Sequence, residues 1–164
     1  DYDQADHVRE LNRAAAHKPG EEQLSQLRNS NGTERPGPIR KELQVMMDDN
    51  VGVYRTGAGL QHAIDKIHEL QARFKNIKVE DKGMKWNTDL METWELGCLL
   101  DLAEVTAFSA QWRRESRGGH FREDYPTRDD GNFLKHSIAW KNGKVTIKDK
   151  PVTITRIQPQ ERKY

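Results

Sequence analysis

A single cysteine, Cys98, leaves no intrachain disulfide available, so burial, hydrogen bonds and ion pairs must hold the fold, as suits a reducing compartment. No apolar run is long enough to span a membrane, because the richest stretch, residues 96–102, is broken by Asp101 and followed by Glu104. Neither charge sign is in excess. Lys+Arg 27 against Asp+Glu 26 gives a net charge of +1, without the clustered basic surplus of a dedicated nucleic-acid binder. Aromatic residues are few at 7%, and 34% hydrophobic against 32% charged residues supports one core while much of the chain is solvated or leans on another body. Also missing are an initiator Met, a signal-peptide pattern and a Gly-x-Gly-x-x-Gly turn. The expectation is an excised part of a larger protein, with no cofactor-binding, catalytic or metal-ligating residues of its own.

What is present is mainly helical. Residues 2–16 carry helix formers with Val8 and Leu11 on one side, and residues 17–37, rich in Gly, Pro, Glu, Asn and Ser, read as a mobile linker with one helical turn at Leu24 and Leu27. From Pro38, Ile39, Leu43, Met46, Met47 and Val51 recur at helical spacing. Thr56 is the expected N-cap of a second helix with an apolar stripe from Leu60 through Ile64, Ile67 and Leu70 to Ile77. Asn87 or Thr88 caps a third helix. Its apolar residues, including Trp94, Leu96, Leu99, Leu100, Leu102 and Phe108, surround most of the circumference, which predicts cover on more than one side. It is expected to end at Gly118-Gly119 in a left-handed cap, with Arg113, Arg114 and Arg117 facing the negative end of the dipole.

Short connections between three amphipathic helices predict an antiparallel, spectrin-repeat-like three-helix bundle over residues 38–118. After Pro126 the period changes: His136, Ile138 and Trp140 alternate, and Asn142-Gly143 predicts a type I′ turn into Val145 and Ile147. Val152 and Ile154 suggest a third strand. The expected organisation is therefore a helical or linker segment (1–37), the bundle (38–118), and an Arg/Asp-rich loop with a small β-hairpin or meander and a tail (119–164).

Residues 112–130 stand out. Five arginines (Arg113, Arg114, Arg117, Arg122, Arg128) alternate with five acids (Glu115, Glu123, Asp124, Asp129, Asp130) around a glycine pair. Guanidinium groups bind carboxylates through paired hydrogen bonds, so this density predicts a pinned loop. One reading is an internal ion-pair network; the other is a face for a partner, formed by Arg117, His120, Arg122, Asp124, Arg128, Asp129 and Asp130. Sharper site readings fail. Placing Gly131 at the sixth position of a calcium loop puts Pro126 and Arg128 where oxygen ligands belong. His120 has no second His or Cys nearby for zinc. Cys98 is expected to be a buried, inert thiol, and Trp94, Trp112 and Trp140 to serve core or interface packing.

The run Glu-Ser-Arg-Gly-Gly-His-Phe-Arg-Glu-Asp-Tyr-Pro-Thr-Arg-Asp-Asp, followed by Asn132 to Ser137, resembles the C-terminal region of the flavoprotein subunit of succinate dehydrogenase and fumarate reductase. Its Ser-Arg-Gly-x-His core also occurs in L-aspartate oxidases; the remainder is more typical of succinate dehydrogenase, and the closing Gln-Pro-x-Glu-Arg-Lys-Tyr is similar to actinobacterial members. The resemblance spans residues 38–164 and implies a helical domain packed on FAD-binding and capping domains. It further implies a parent that oxidises succinate to fumarate via FAD and passes electrons to an iron–sulfur subunit and quinone, at the cytoplasmic face of the membrane. The family's flavin-attaching, dicarboxylate-binding and proton-donating residues lie upstream of the matched region, so none maps onto this chain. Alternatives are the same domain of L-aspartate oxidase or fumarate reductase, or a free-standing helical protein-interaction module.

Overall fold

A computed structural model describes the backbone of residues 13–160 and the side chains of residues 20–160. Three helices form the body: α2 (Pro36–Val51), α3 (Gly57–Phe74) and α4 (Thr88–Trp112). α1 (Arg13–Arg28) lies against α4. Arg40, near the start of α2, donates to the Glu92 carbonyl near the start of α4 at 2.9 Å, so these two helices run the same way. Arg73 at the end of α3 reaches Glu42 near the start of α2 at 2.8 Å, so α3 runs against both. The expected antiparallel bundle is the observed one.

Its core follows from helical spacing. Ile39, Leu43, Met46 and Val51 of α2 meet Leu60, Ala63, Ile64, Ile67 and Leu70 of α3 and Leu96, Leu100, Ala103 and Ala107 of α4. Fully burying one such Leu or Ile side chain contributes roughly 1.5–3 kcal/mol. The caps are local. The Thr56 hydroxyl accepts from the Gly59 N–H at 3.1 Å, and the Asn87 side chain accepts from the Leu90 N–H at 2.8 Å, each satisfying an orphan donor of the first turn.

Several expectations are corrected. The supposed linker is largely helix: residues 21–28 are nearly all strong helix formers, and Leu27 packs on the core, which outweighs the flanking Pro19-Gly20. Residues 31–34 are also pinned, with Gly32 N–H donating to Ile77 O and Lys78 N–H to Glu34 O at 3.1 and 2.8 Å. The expectation for residues 2–12, with Val8 and Leu11, lies outside the described residues, as does that for the last four residues of the tail.

α2 starts at Pro36, two residues early, and α4 stops at Trp112 rather than at Gly118-Gly119. Cys98 is exposed, not buried, because it lies on the face of α4 turned away from the core. Trp94 and Trp140 are each nearly half exposed for the same geometric reason.

The C-terminal hairpin pairs β3 (Lys135–Asn142) with β4 (Lys144–Pro151), antiparallel, and packs on α4. Its register sets Asn142 opposite Lys144, so the turn centres on Gly143. Only Gly143 there has positive φ, at 74°, whereas a type I′ turn needs two such residues. Among the described residues no third strand forms at Val152 and Ile154, and the sheet has two strands. Lys141 of β3 reaches both Asp101 and the buried Glu104 of α4, fastening the hairpin to the bundle.

Ile67 is fully buried and Leu102 is 64% exposed, so the two truncations separate cleanly. Ile67→Ala is expected to cost about 2–5 kcal/mol in urea unfolding. Leu102→Ala is expected to stay within about 0.5 kcal/mol of the parent chain.

Candidate functional site

The Arg/Asp-rich segment leaves α4 and folds back over the end of the bundle. Two further short elements hold it: a parallel pair of β1 (Tyr54–Arg55) and β2 (Phe121–Arg122), and α5 (Asp130–Phe133), capped by the Asp129 carboxylate. Gly118, with φ 58°, makes the tight reversal in which Arg117 and His120 exchange backbone hydrogen bonds at 2.8 and 3.0 Å.

At its centre lies Glu115, with no solvent exposure. The Arg117 guanidinium grips it with two parallel bonds, Nε to Oε1 at 2.8 Å and Nη2 to Oε2 at 3.0 Å. Arg113 Nη1 adds a third bond and the Asp129 N–H a fourth, at 2.8 Å. Burial opposes ionisation of Glu115, but the bonds from Arg117, the Asp129 N–H and Arg113 outweigh it and hold the carboxyl below its ordinary range. Arg117 also reaches Asp130 at 2.6 Å, and Arg128 takes the other oxygen of Asp130 at 2.6 Å. The remaining Arg113 donors go to the carbonyls of Phe133 and Lys135, while its guanidinium sits 5.8 Å from the Trp112 ring centre and 5.6 Å from that of Phe133.

Arg122, only 2% exposed, replaces the expected glycine cap of α4. Its Nη1 donates to the Ala110 carbonyl at 3.0 Å, bringing positive charge to the negative helix end. Its other donors fork onto Asp124 at 2.8 and 2.7 Å, and that carboxylate accepts from the Gly57 N–H at 2.9 Å. Arg122, then the Gly57 N–H, drive the Asp124 carboxyl down to about 2. One side-chain pair thus ties the end of α4 to the start of α3.

His120 is held by two bonds that fix its tautomer. Arg55 has only donors, so its Nη1, 2.7 Å away, makes His120 Nδ1 an acceptor. The proton is then on Nε2, which donates to the Arg113 carbonyl at 3.0 Å. Burial first, and the charges of Arg55, Arg122 and Arg113 next, push its pKa below 6.5 despite the bond to the Arg113 carbonyl.

Of the seven expected residues, Arg117, His120, Arg122 and Asp124 therefore meet one another's neighbours inside a single network. Arg128, Asp129 and Asp130 form its outer flank. Glu115, Arg113 and Arg55 were not on that list. A buried acid between two arginines in sequence was a usable signal for Glu115; nothing in the sequence connects Arg55 to His120, 65 positions away. Beside the network, Phe108, Trp112, Tyr125, Phe133 and Ile147 line an open cleft of about 850 Å³, with Arg114 at its edge. Arg114 is exposed and makes no ion pair among the described residues.

FAD does not fit these residues. The start of α3, Gly57-Ala58-Gly59, is glycine-bearing, but its N–H groups are already taken by Asp124 and Thr56, leaving no donors for a pyrophosphate. Among the described residues no cluster of three His, Cys, Asp or Glu groups is arranged to hold a metal ion, and no helix is long and apolar enough to cross a membrane.

The family model described as fumarate reductase flavoprotein C-term matches residues 40–164. The chain belongs to this family. It is 46% identical over 143 residues to the fumarate reductase flavoprotein subunit of Haemophilus influenzae, covering 86% of this chain and 24% of that protein. With the succinate dehydrogenase flavoprotein subunit of Rickettsia felis it shares 40% identity over 154 residues, covering 88% of this chain and 26% of the relative. The fold matches a mutant Escherichia coli quinol fumarate reductase with TM-score 0.85 and 40% identity, covering 90% of this chain and 26% of that one. Mycobacterium smegmatis Sdh1 matches with TM-score 0.70 and 28% identity, over 84% of this chain and 24% of that one. The chain spans about a quarter of the length of the curated relatives it matches. It is the C-terminal domain of a flavoprotein of this kind, and the bundle, Arg/Asp-rich loop and hairpin are the family's parts.

Two outcomes are expected here. Glu115→Ala leaves Arg113 and Arg117 without their buried partner and will cost about 3–5 kcal/mol in thermal or urea unfolding. Since a histidine with a depressed folded pKa takes up its proton more readily when unfolded, stability will begin to fall as pH drops through 6.5, the ordinary imidazole value. Nitrogen NMR of His120 is expected to show a neutral ring protonated at Nε2 near that pH.

Proposed function

We propose that this chain is the helical C-terminal part of a subunit that interconverts succinate and fumarate, catalytically inert alone and active when joined to FAD-binding and capping domains. In that parent, FAD supplies the two-electron chemistry, and electrons pass through an iron–sulfur subunit towards quinone, at the cytoplasmic face of the membrane. Succinate oxidation is the primary reading, from the Arg-Glu-Asp-Tyr-Pro-x-Arg-Asp-Asp run and the Lys-His pair at Lys135-His136. Fumarate reduction is favoured by the 46% identity to the Haemophilus protein. Both directions place the same demands on this domain.

The observation that carries the proposal is the Glu115-centred network. Its residues hold one another, so the loop meets a partner as a preformed surface and loses little freedom on docking. Arg117, His120, Arg122 and Asp124 build the rigid base. Arg128, Asp129 and Asp130, with Arg114 beside them, present charge to the flavin-bearing part.

The test is the full-length gene product. FAD at one per chain and succinate-dependent dye reduction are expected, and neither flavin nor dye reduction would overturn the assignment. Within that subunit, Arg114→Ala is expected to leave the unfolding midpoint unchanged and to speed proteolysis at the junction before Pro36. Unchanged cleavage would remove Arg114 and its flank from the docking surface.

A further inference from the structure

We propose that the groove between α2 and α4 is covered, in the intact subunit, by an apolar, cation-rimmed element of the flavin-bearing part; this rests on the function proposed above. The sequence of α4 is apolar around most of its circumference, which calls for cover on more than one side. The described fold covers the side facing α2 and α3, through Leu96, Leu100, Ala103 and Ala107. Leu102 and Leu99 remain 64% and 40% exposed, and across the groove Val45 of α2 is 46% exposed. Leu43, Met47 and Ala103 floor a space of about 560 Å³ between them. This shape suits one or two inserted apolar side chains from a helix or extended segment.

Charge selects the occupant. From Thr88 to Trp112, α4 carries Asp89, Glu92, Glu95, Asp101 and Glu104 and not one Lys or Arg. Arg40 spans one end of the groove and is committed to the Glu92 carbonyl and, at 3.5 Å, to Glu95. Glu92 makes no ion pair among the described residues. A second copy docked through the same face would set these acids against their own kind, and an anionic lipid surface would be repelled likewise. A partner offering an apolar ridge edged by Lys or Arg meets both requirements. The chain spans about a quarter of its relatives' length, so a body large enough to supply that ridge belongs to the same subunit.

The experiment uses the full-length subunit with Leu102→Cys, a change on an exposed side chain that leaves the core intact. Maleimide labelling at position 102 is followed by peptide mass mapping, native and after unfolding in urea, with flavin content measured on the same sample. We expect native labelling to be slowed at least about tenfold relative to the unfolded subunit, because a covered thiol reacts only through local opening. Labelling within about threefold of the unfolded rate in an FAD-loaded subunit would overturn the groove proposal alone, leaving the assignment of function standing. Protection that disappears on dilution would identify a second copy as the occupant and would equally overturn it. Absence of flavin with protection retained would instead count against the functional reading.

Discussion

A buried carboxylate cannot stand unpaired, and the end of this domain is built around that constraint. Glu115 has no exposure, and two guanidinium groups and a backbone N–H converge on it. Those same arginines then run outward: Arg113 to the carbonyls that begin the hairpin, Arg117 to Asp130 beside Arg128. A few angstroms away, Arg122 and Asp124 bridge the end of α4 and the start of α3. Loop, bundle and hairpin are thus joined by hydrogen bonds that all need the charged forms of their partners, in a region with little apolar surface of its own.

The network does two jobs with one set of residues. It terminates α4, which otherwise leaves four carbonyls without partners, and it fixes the outward residues of the loop before any partner arrives. Such a device suits a domain that makes up about a quarter of its relatives' length and must present a defined face to the remainder. The exposed leucines of α4 belong to the same logic from the apolar side: they are hydrophobic in sequence because a neighbour completes their burial.

Much of the fold was legible because it is locally determined. The apolar stripe from Leu60 to Leu70 and the caps at Thr56 and Asn87 involve residues within a few positions of one another, so spacing alone located α3 and α4. The short β1–β2 pair was not legible, since two residues carry no periodicity, nor was the end of α4, where Arg122 captures a carbonyl 12 positions upstream. α1 was missed because Pro19-Gly20 outweighed the helix formers that follow. At the candidate site, the density of charge marked the segment and the pairing could be anticipated, but Arg55 against His120 and Asp124 against Gly57 depend on the closed bundle. The family, in contrast, was readable from the segment's residues alone.

The account stands on the loop being as firmly held as the helices that carry it, which amide hydrogen exchange measures directly. The N–H groups of Ser116, Arg117, His120 and Asp129, all bonded within the network, are predicted to exchange only through the same global opening that releases the amides of α3 around Ile67. Exchange of those four through a separate, low-energy opening while α3 stays protected would contradict it.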